Sequence, residues 1–347
     1  MSLLTSLISH QIWLQRTASG EVKGLAPFIK EMRDEIKRQV LLFGDDGRSS
    51  RRLNKLLRDL EEALTGLTGD WQTKLTEDLK ELAAYEAEWN VKTLTANVDA
   101  EFVTPTPEQV WAAAEFQPLS LSDKPVDFTK LMDGWGETEV SRLVTGVKMG
   151  FVQGQTTRQI VKNIVGSGGL ADISERNAAT VIRTALSHVS NEARNETYRQ
   201  NDDIIEKYEW VSTLDSRTGT ICRARDGMTW EIGKGPMPPA HPNCRSTTAP
   251  VISSEFDFLD KGAKRAAKGA DGGTQVSADT TYYEFLKQQP AWFQDQALGP
   301  VRGKIFRNSG ISPEEFRVIS VDGFGNPLTL KQMAELDKRV ADYLKGD

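Results

Sequence analysis

Three residues of one stretch carry side chains suited to chemistry: Cys222, His241 and Cys244, which are both cysteines of the chain and one of its three histidines. They lie within Tyr208 to Val251, a segment rich in proline and glycine. Thiolates and an imidazole are soft ligands, and the spacing Cys-x18-His-x2-Cys includes a short His-x2-Cys pair of the kind that holds zinc. A tetrahedral ion requires a fourth ligand, such as Asp215. Two other readings stand beside the metal. A Cys222–Cys244 disulfide would close a long loop and stabilise it by a few kcal/mol, and the same thiols could simply pack, with His241 hydrogen-bonded among its prolines.

Cysteine beside histidine is also the pairing of a nucleophile and its base. The chain has no nucleophile elbow, Walker A loop, paired-histidine helix or dinucleotide glycine fingerprint. No residue is therefore assigned a catalytic role, and a metal- or cysteine-dependent hydrolase is the alternative. The remaining polar residues of the stretch fit a structural clasp better. Asp215 can accept turn amides, Arg217 and Arg245 can bridge to a carboxylate, and Trp210, Thr218, Asp226, Gly227, Pro242 and Asn243 complete the set.

Such a clasp needs strands to hold it. Lys207–Leu214, Met228–Ile232 and Arg245–Val251 have strand composition, separated by turns at Asp215–Gly219, Asp226–Gly227 and Gly233–Gly235. So small a sheet is marginal alone and must pack on helices. A helix from about Asp172 to Gln200 precedes it, burying Ile182, Ala185, Leu186, Val189 and Ala193; its opposite face carries Arg183, Asn191, Glu192, Arg194, Asn195 and Glu196. A polar face that dense either meets solvent or lines a contact with the segment that follows.

Further out, Leu25 to Phe43 form a helical stripe that Gly44-Asp45-Asp46-Gly47 breaks; Leu53 to Leu64 form a second, and Trp71 to Trp89 a third beyond Gly66 and Gly69. These imply an antiparallel helical hairpin or bundle whose exposed stripes could self-associate. The prolines of 104–125 suggest a linker, or a strap across another surface. A short helix follows Gly154-Gln155-Thr156-Thr157 and buries Ile160, Val161 and Ile164; a last helix spans about Thr329 to Leu344. The expected fold is mainly α with a small antiparallel β element: long amphipathic helices plus a compact Cys/His-containing β subdomain. Its parts are an N-terminal helical region (1–103), a Pro-rich linker (104–125), a central domain (126–253), a flexible basic, Gly-rich linker (254–281) and a C-terminal helical tail (282–347).

Composition narrows the class. A chain of 347 residues, 38% hydrophobic, can bury a sizeable core. With 43 basic and 49 acidic residues its net charge is −6, which argues against a broad nucleic-acid footprint. The one concentrated basic patch is Lys261, Lys264, Arg265 and Lys268, whose helical spacing would put four charges on one side, either as part of a solvated linker or as a contact for phosphate. No apolar run reaches the roughly 20 residues of a membrane span, and no secretory signal is expected at the N-terminus.

The order Trp210, Asp215-Ser-Arg217-Thr218, Cys222, Asp226-Gly227, then Pro238-Pro239-Ala-His241-Pro242-Asn243-Cys244-Arg245 resembles the signature of the phage Mu F-like head morphogenesis proteins. Similar lead-in segments are Gly154 to Ile160, Arg183-Thr184 and Asn191 to Arg194; Tyr283 to Pro290, Leu298-Gly299 and Arg302 extend the likeness to about residue 310. Ser246 stands where many relatives carry a further cysteine, which removes a fourth thiolate. The resemblance implies a minor, non-enzymatic protein of a tailed-phage head, made in the host cytoplasm and carried in the virion at the head interior or portal vertex. The implied partners are the portal protein and the major capsid protein, with packaged DNA and genome ejection as further roles.

Overall fold

The computed structural model describes residues 2–45, 49–121, 124–252, 262–323 and 325–346. Its elements in chain order are α1 (Leu3–Gly24), α2 (Ala26–Phe43), α3 (Ser50–Asn97), α4 (Pro107–Phe116), β1 (Leu119–Leu121), β2 (Lys124–Val126), α5 (Phe128–Val152), α6 (Thr157–Val165) and α7 (Leu170–Arg199). Then come β3 (Ile205–Val211), α8 (Thr220–Arg225), β4 (Thr229–Glu231), β5 (Thr247–Ile252), β6 (Lys264–Gly269) and β7 (Gly272–Ser277). The chain ends with α9 (Tyr282–Lys287), α10 (Ala291–Leu298), α11 (Pro300–Asn308), α12 (Pro313–Ser320), α13 (Leu330–Leu336) and α14 (Lys338–Gly346). The protein is mainly helical with small antiparallel sheets, as its sequence implies.

The apolar stripe of α2, Ile29, Met32, Ile36, Val40 and Phe43, is buried throughout. Gly44 ends the helix at φ 73°; Asp46 and Gly47 lie outside the described residues. The two helices expected on either side of Gly66 and Gly69 are one helix, α3, 48 residues and about 72 Å long at 1.5 Å per residue. Burial explains the continuity. Leu60, Leu64, Thr68, Trp71, Leu75 and Leu79 keep one face inward across both glycines, and that face outweighs the roughly 1 kcal/mol each glycine costs a helix.

The core of this helical part runs from Leu14 to Ala193, through α2, α3, α4, α5, α6 and α7. It crosses the boundary placed at 104–125. That Pro-rich segment is a strap rather than a free linker: Thr106 and Gln109 form a capping box for α4, whose Val110 and Ala114 are buried, and β1 pairs with β2. α1, which hydropathy did not single out, lies against α7, with Thr5 Oγ1 donating to the Lys264 carbonyl 3.1 Å away.

β4, β3 and β5 form an antiparallel sheet in that order, with Tyr208 opposite both Trp230 and Pro250. The strands match the three stretches expected. A second core gathers Tyr283, Phe285, Phe306 and Phe316 from the C-terminal helices with Leu214 and Ala267 from the β region. The last expected helix is two, broken at Asp337, which is extended at φ −138°.

The Gly-rich segment 254–281 also differs from a linker. Residues 254–261 lie outside the described residues, but β6 and β7 pair over six positions from Lys264↔Ser277 to Gly269↔Gly272. Gly272, at φ 106°, makes the turn. Among the described residues, no helix is long and apolar enough to cross a membrane.

Candidate metal centre and its clasp

Near its end β3 carries Trp210, fully buried, whose indole Nε1 donates to Ser212 Oγ at 3.0 Å. The Ser212 N–H donates to Asp226 Oδ1 at 2.7 Å, and the Ser212 hydroxyl donates to the Cys222 carbonyl at 2.8 Å. Gly227, at φ 76°, turns the chain so that its N–H meets the Trp210 carbonyl at 2.9 Å.

Asp226 is closed by Arg265, whose Nη1 and Nη2 lie 3.1 and 2.9 Å from the two carboxylate oxygens, with both side chains buried. Arg265 also donates to the carbonyls of Ser212 and Thr280. This corrects the reading of 261–268 as one basic helical turn. In the strand β6, neighbours point to opposite faces, so Lys264 and Lys268 are exposed while Arg265 turns inward. Lys261 lies outside the described residues.

Asp215 forms the second clasp. Arg245 grips it with two bonds of 2.6 and 2.8 Å, the Arg217 N–H donates to it at 2.9 Å, and the Thr218 hydroxyl reaches both it and the Thr213 carbonyl. The Asp215 carbonyl in turn accepts from Tyr282 Oη at 2.8 Å. Burial alone would raise the Asp215 pKa, but the Arg245 hydrogen bonds and charge, assisted by Arg217, outweigh it and hold the carboxyl below its ordinary range. Asp215 is thus spent on arginines. It is not grouped with the thiols as a fourth ligand.

The three rare residues do meet. Cys222 comes from α8, His241 from the proline loop and Cys244 from just before β5; Cys222 Sγ is 3.2 Å from His241 Nε2 and 3.5 Å from Cys244 Sγ. Both cysteines are free and buried. Burial, and the close contact with Cys244, push the Cys222 thiol up; the same contact pulls the Cys244 thiol down. His241 Nδ1 lies 2.9 Å from the Pro242 carbonyl. A carbonyl only accepts, so Nδ1 carries the proton and Nε2 presents its lone pair to the sulfurs.

The loop bearing these ligands is pinned to α7. The Asn243 N–H donates to Thr184 Oγ1 at 3.1 Å and its Nδ2 to Thr180 Oγ1 at 3.2 Å, while Asn243 itself takes φ 58°, a conformation asparagine tolerates well. The polar face of α7 is therefore a contact and not a solvated surface. Asn191, Glu192, Arg194 and Asn195 are all buried.

Sequence reasoning missed a network behind that face. Glu86 of α3 is bonded to His10 of α1 at 2.6 Å and accepts from Ser190 of α7 at 3.0 Å; Arg194 lies 3.8 Å from Glu86 and donates to Thr247 of β5. A charge at a core position of an amphipathic stripe was the only available signal. A cavity of about 740 Å³ lies between α1, β3 and the β6–β7 hairpin, and Arg16, Arg217, Arg245 and Lys268 are among its lining.

Compared with known proteins, residues 142–249 match the family model described as Phage Mu protein F like protein. No curated protein and no solved structure matches the chain. The matched segment runs from within α5 into β5 and contains both cysteines, His241, the Asp215–Arg245 clasp and Asp226. It ends short of residue 310, to which the likeness in sequence extends. By the residues that carry it and by this match, the segment from 142 to 249 is similar to the Mu F-like phage proteins.

Proposed function

We propose that this chain is a minor structural protein of a tailed-phage head, carried in the virion at the head interior or portal vertex, that acts in head morphogenesis by binding the portal protein and the major capsid protein. The observation that carries this reading is the family match over a segment whose polar residues are turned inward to fix a scaffold. Partner contacts then fall on the helices. Leu42 and Val152, 72% and 66% exposed and next in sequence to the paired rings of Phe43 and Phe151, are the candidates for such contacts, whether with a head component or with a second copy.

Contact with packaged DNA, and with it a part in ejection, would rest on the exposed cations Arg16, Arg217 and Lys268 at the 740 Å³ cavity. The test is co-sedimentation with purified procapsids, together with deletion of the gene. The expected result is incorporation at low copy, and loss of infectivity with head shape retained on deletion. A protein absent from both procapsids and virions would sink the proposal.

One observation favours a second reading, a cysteine-dependent maturation hydrolase: the 3.2 Å approach of Cys222 Sγ to His241 Nε2. Cys222→Ser separates the two. Lost cleavage of a head protein with stability retained supports the hydrolase, and unchanged assembly with reduced stability supports the scaffold.

A further inference from the structure

Cys222, His241 and Cys244 present three ligand atoms that all lie within 4.8 Å of one another. A tetrahedral zinc ion, with bonds of about 2.3 Å to sulfur and 2.0–2.1 Å to nitrogen, spaces its ligand atoms by roughly 3.5–3.8 Å. The separations here, 3.2 and 3.5 Å, fall within a few tenths of an ångström of that. His241 and Cys244 share one turn, in which the Cys244 N–H donates to the His241 carbonyl at 3.1 Å, and the fold brings Cys222 to them from α8.

The surroundings orient them. The Pro242 carbonyl fixes the His241 tautomer that leaves Nε2 free, the kind of outer partner that metal-ligating histidines have. Asn243, between the two downstream ligands, is tied to Thr180 and Thr184. Gly219 leaves the imidazole its place: a Cβ there would stand 2.6 Å from Nε2. Beside the ligands lies a cavity of about 20 Å³ lined by Thr213, Thr218, Gly219 and Ser246, room for about one water molecule.

We infer that Cys222, Cys244 and His241 Nε2 bind one zinc-class divalent cation, with a water from this cavity as the fourth ligand. Asp215 stays in the arginine clasp. Both cysteines bind as thiolates, which neutralise the ion. The metal ties α8, the proline loop and the start of β5 together, so the stability of the segment depends on it. This inference stands independently of the proposed role in the phage head.

The experiment uses the full chain, reduced and stripped of metal, titrated with cobalt(II) alone. The expected result is saturation at one equivalent, thiolate-to-cobalt charge-transfer absorption, the intense visible bands of a tetrahedral ion, and an upward shift of Tm. Zinc should bleach the bands by displacing cobalt. Cys244→Ser and His241→Gln, checked for native helicity by circular dichroism, should weaken binding at least tenfold. Should neither variant fold, the wild-type titration decides alone. The inference is overturned if no charge-transfer band develops at millimolar cobalt, if a folded Cys244→Ser chain binds metal as well as the wild type, or if the purified chain contains a Cys222–Cys244 disulfide and no free thiol.

Discussion

Arg245 and Arg265 show what single arginines contribute to a sheet too small to hold itself. Each grips one aspartate with two bonds and so fixes a turn that glycine and proline would leave loose. Arg245→Ala leaves the largely buried Asp215 carboxylate without its main counter-charge. Removing one partner of a buried pair costs about 3–5 kcal/mol, and the lower end is expected because Arg245 keeps 21% of its side chain exposed. Urea unfolding at pH 7 measures it. The pH dependence has a definite sign: a carboxyl whose folded pKa lies below its unfolded value contributes stability above about pH 3.9 and loses it as pH falls through the folded pKa. The cost of Arg245→Ala should therefore shrink in acid, and a cost that stayed constant down to pH 2 would assign the arginine a packing role. Gly219 gives a companion test. Gly219→Ala should displace the His241 ring and lower Tm, whereas an unchanged melt would mean that the ring's position contributes nothing.

At the scale of elements, α7 is the helix on which the rest converges, and it carries two buried titratable groups with opposite effects. His188 donates from Nε2 to the Ala114 carbonyl at 2.8 Å, and burial pushes its pKa down to about 4. Glu192 is pushed up to about 7 by burial, against lowering by the Asn195 hydrogen bond and Arg199; Glu196 raises it further, and Tyr208 faces it from β3. The histidine costs stability as pH falls from about 6.5 to 4, because the unfolded chain then binds the extra proton. The glutamate costs stability as pH rises from about 4.5 to 7, because the folded chain then holds the extra proton. The two slopes nearly cancel over pH 4.5–6.5. Glu192→Gln removes one of them, so the variant should be more stable than the wild type at pH 8 and should lose stability below pH 6.5, where the wild type is flat. Thermal melts at pH 5, 6.5 and 8 check this; parallel curves for the two proteins would refute the burial of a protonated Glu192.

α7 also marks where sequence was legible and where it was not. Ile182, Ala185, Leu186, Val189 and Ala193 declared the buried face by spacing alone, and the strands and the Cys–His–Cys cluster followed from composition and order. The opposite face did not. Asn191, Glu192, Arg194 and Asn195 look solvated because a polar side chain reveals its partner only after the chain has folded. The same reason hid Asp226–Arg265, a pair 39 residues apart, behind four cations whose helical spacing concealed a strand. The unbroken α3 is not legible in the sequence because Gly66 and Gly69 read as breaks, while the buried face that continues across them shows only in the fold.

For the whole molecule, the question is whether the matched segment is a unit. Its residues 142–249 contribute one wall of a core whose other walls are α2 and α3 from the first hundred residues. The polar network runs the same way, from His10 and Glu86 to Arg194 and Thr247, and joins four elements distant in sequence. A fragment of residues 126–253 should therefore lack a cooperative thermal transition and show poorly dispersed amide resonances. In the full chain, Glu86→Leu strands the fully buried Arg194 without a counter-charge at a cost of about 3–5 kcal/mol. Because the network spans both the N-terminal helices and the matched segment, that loss should destabilise both together. Circular dichroism and tryptophan fluorescence should report one coincident urea transition, moved to lower denaturant with an unchanged slope. Two separated transitions, only one of them moved, would instead show that the helices and the sheet fold as independent domains.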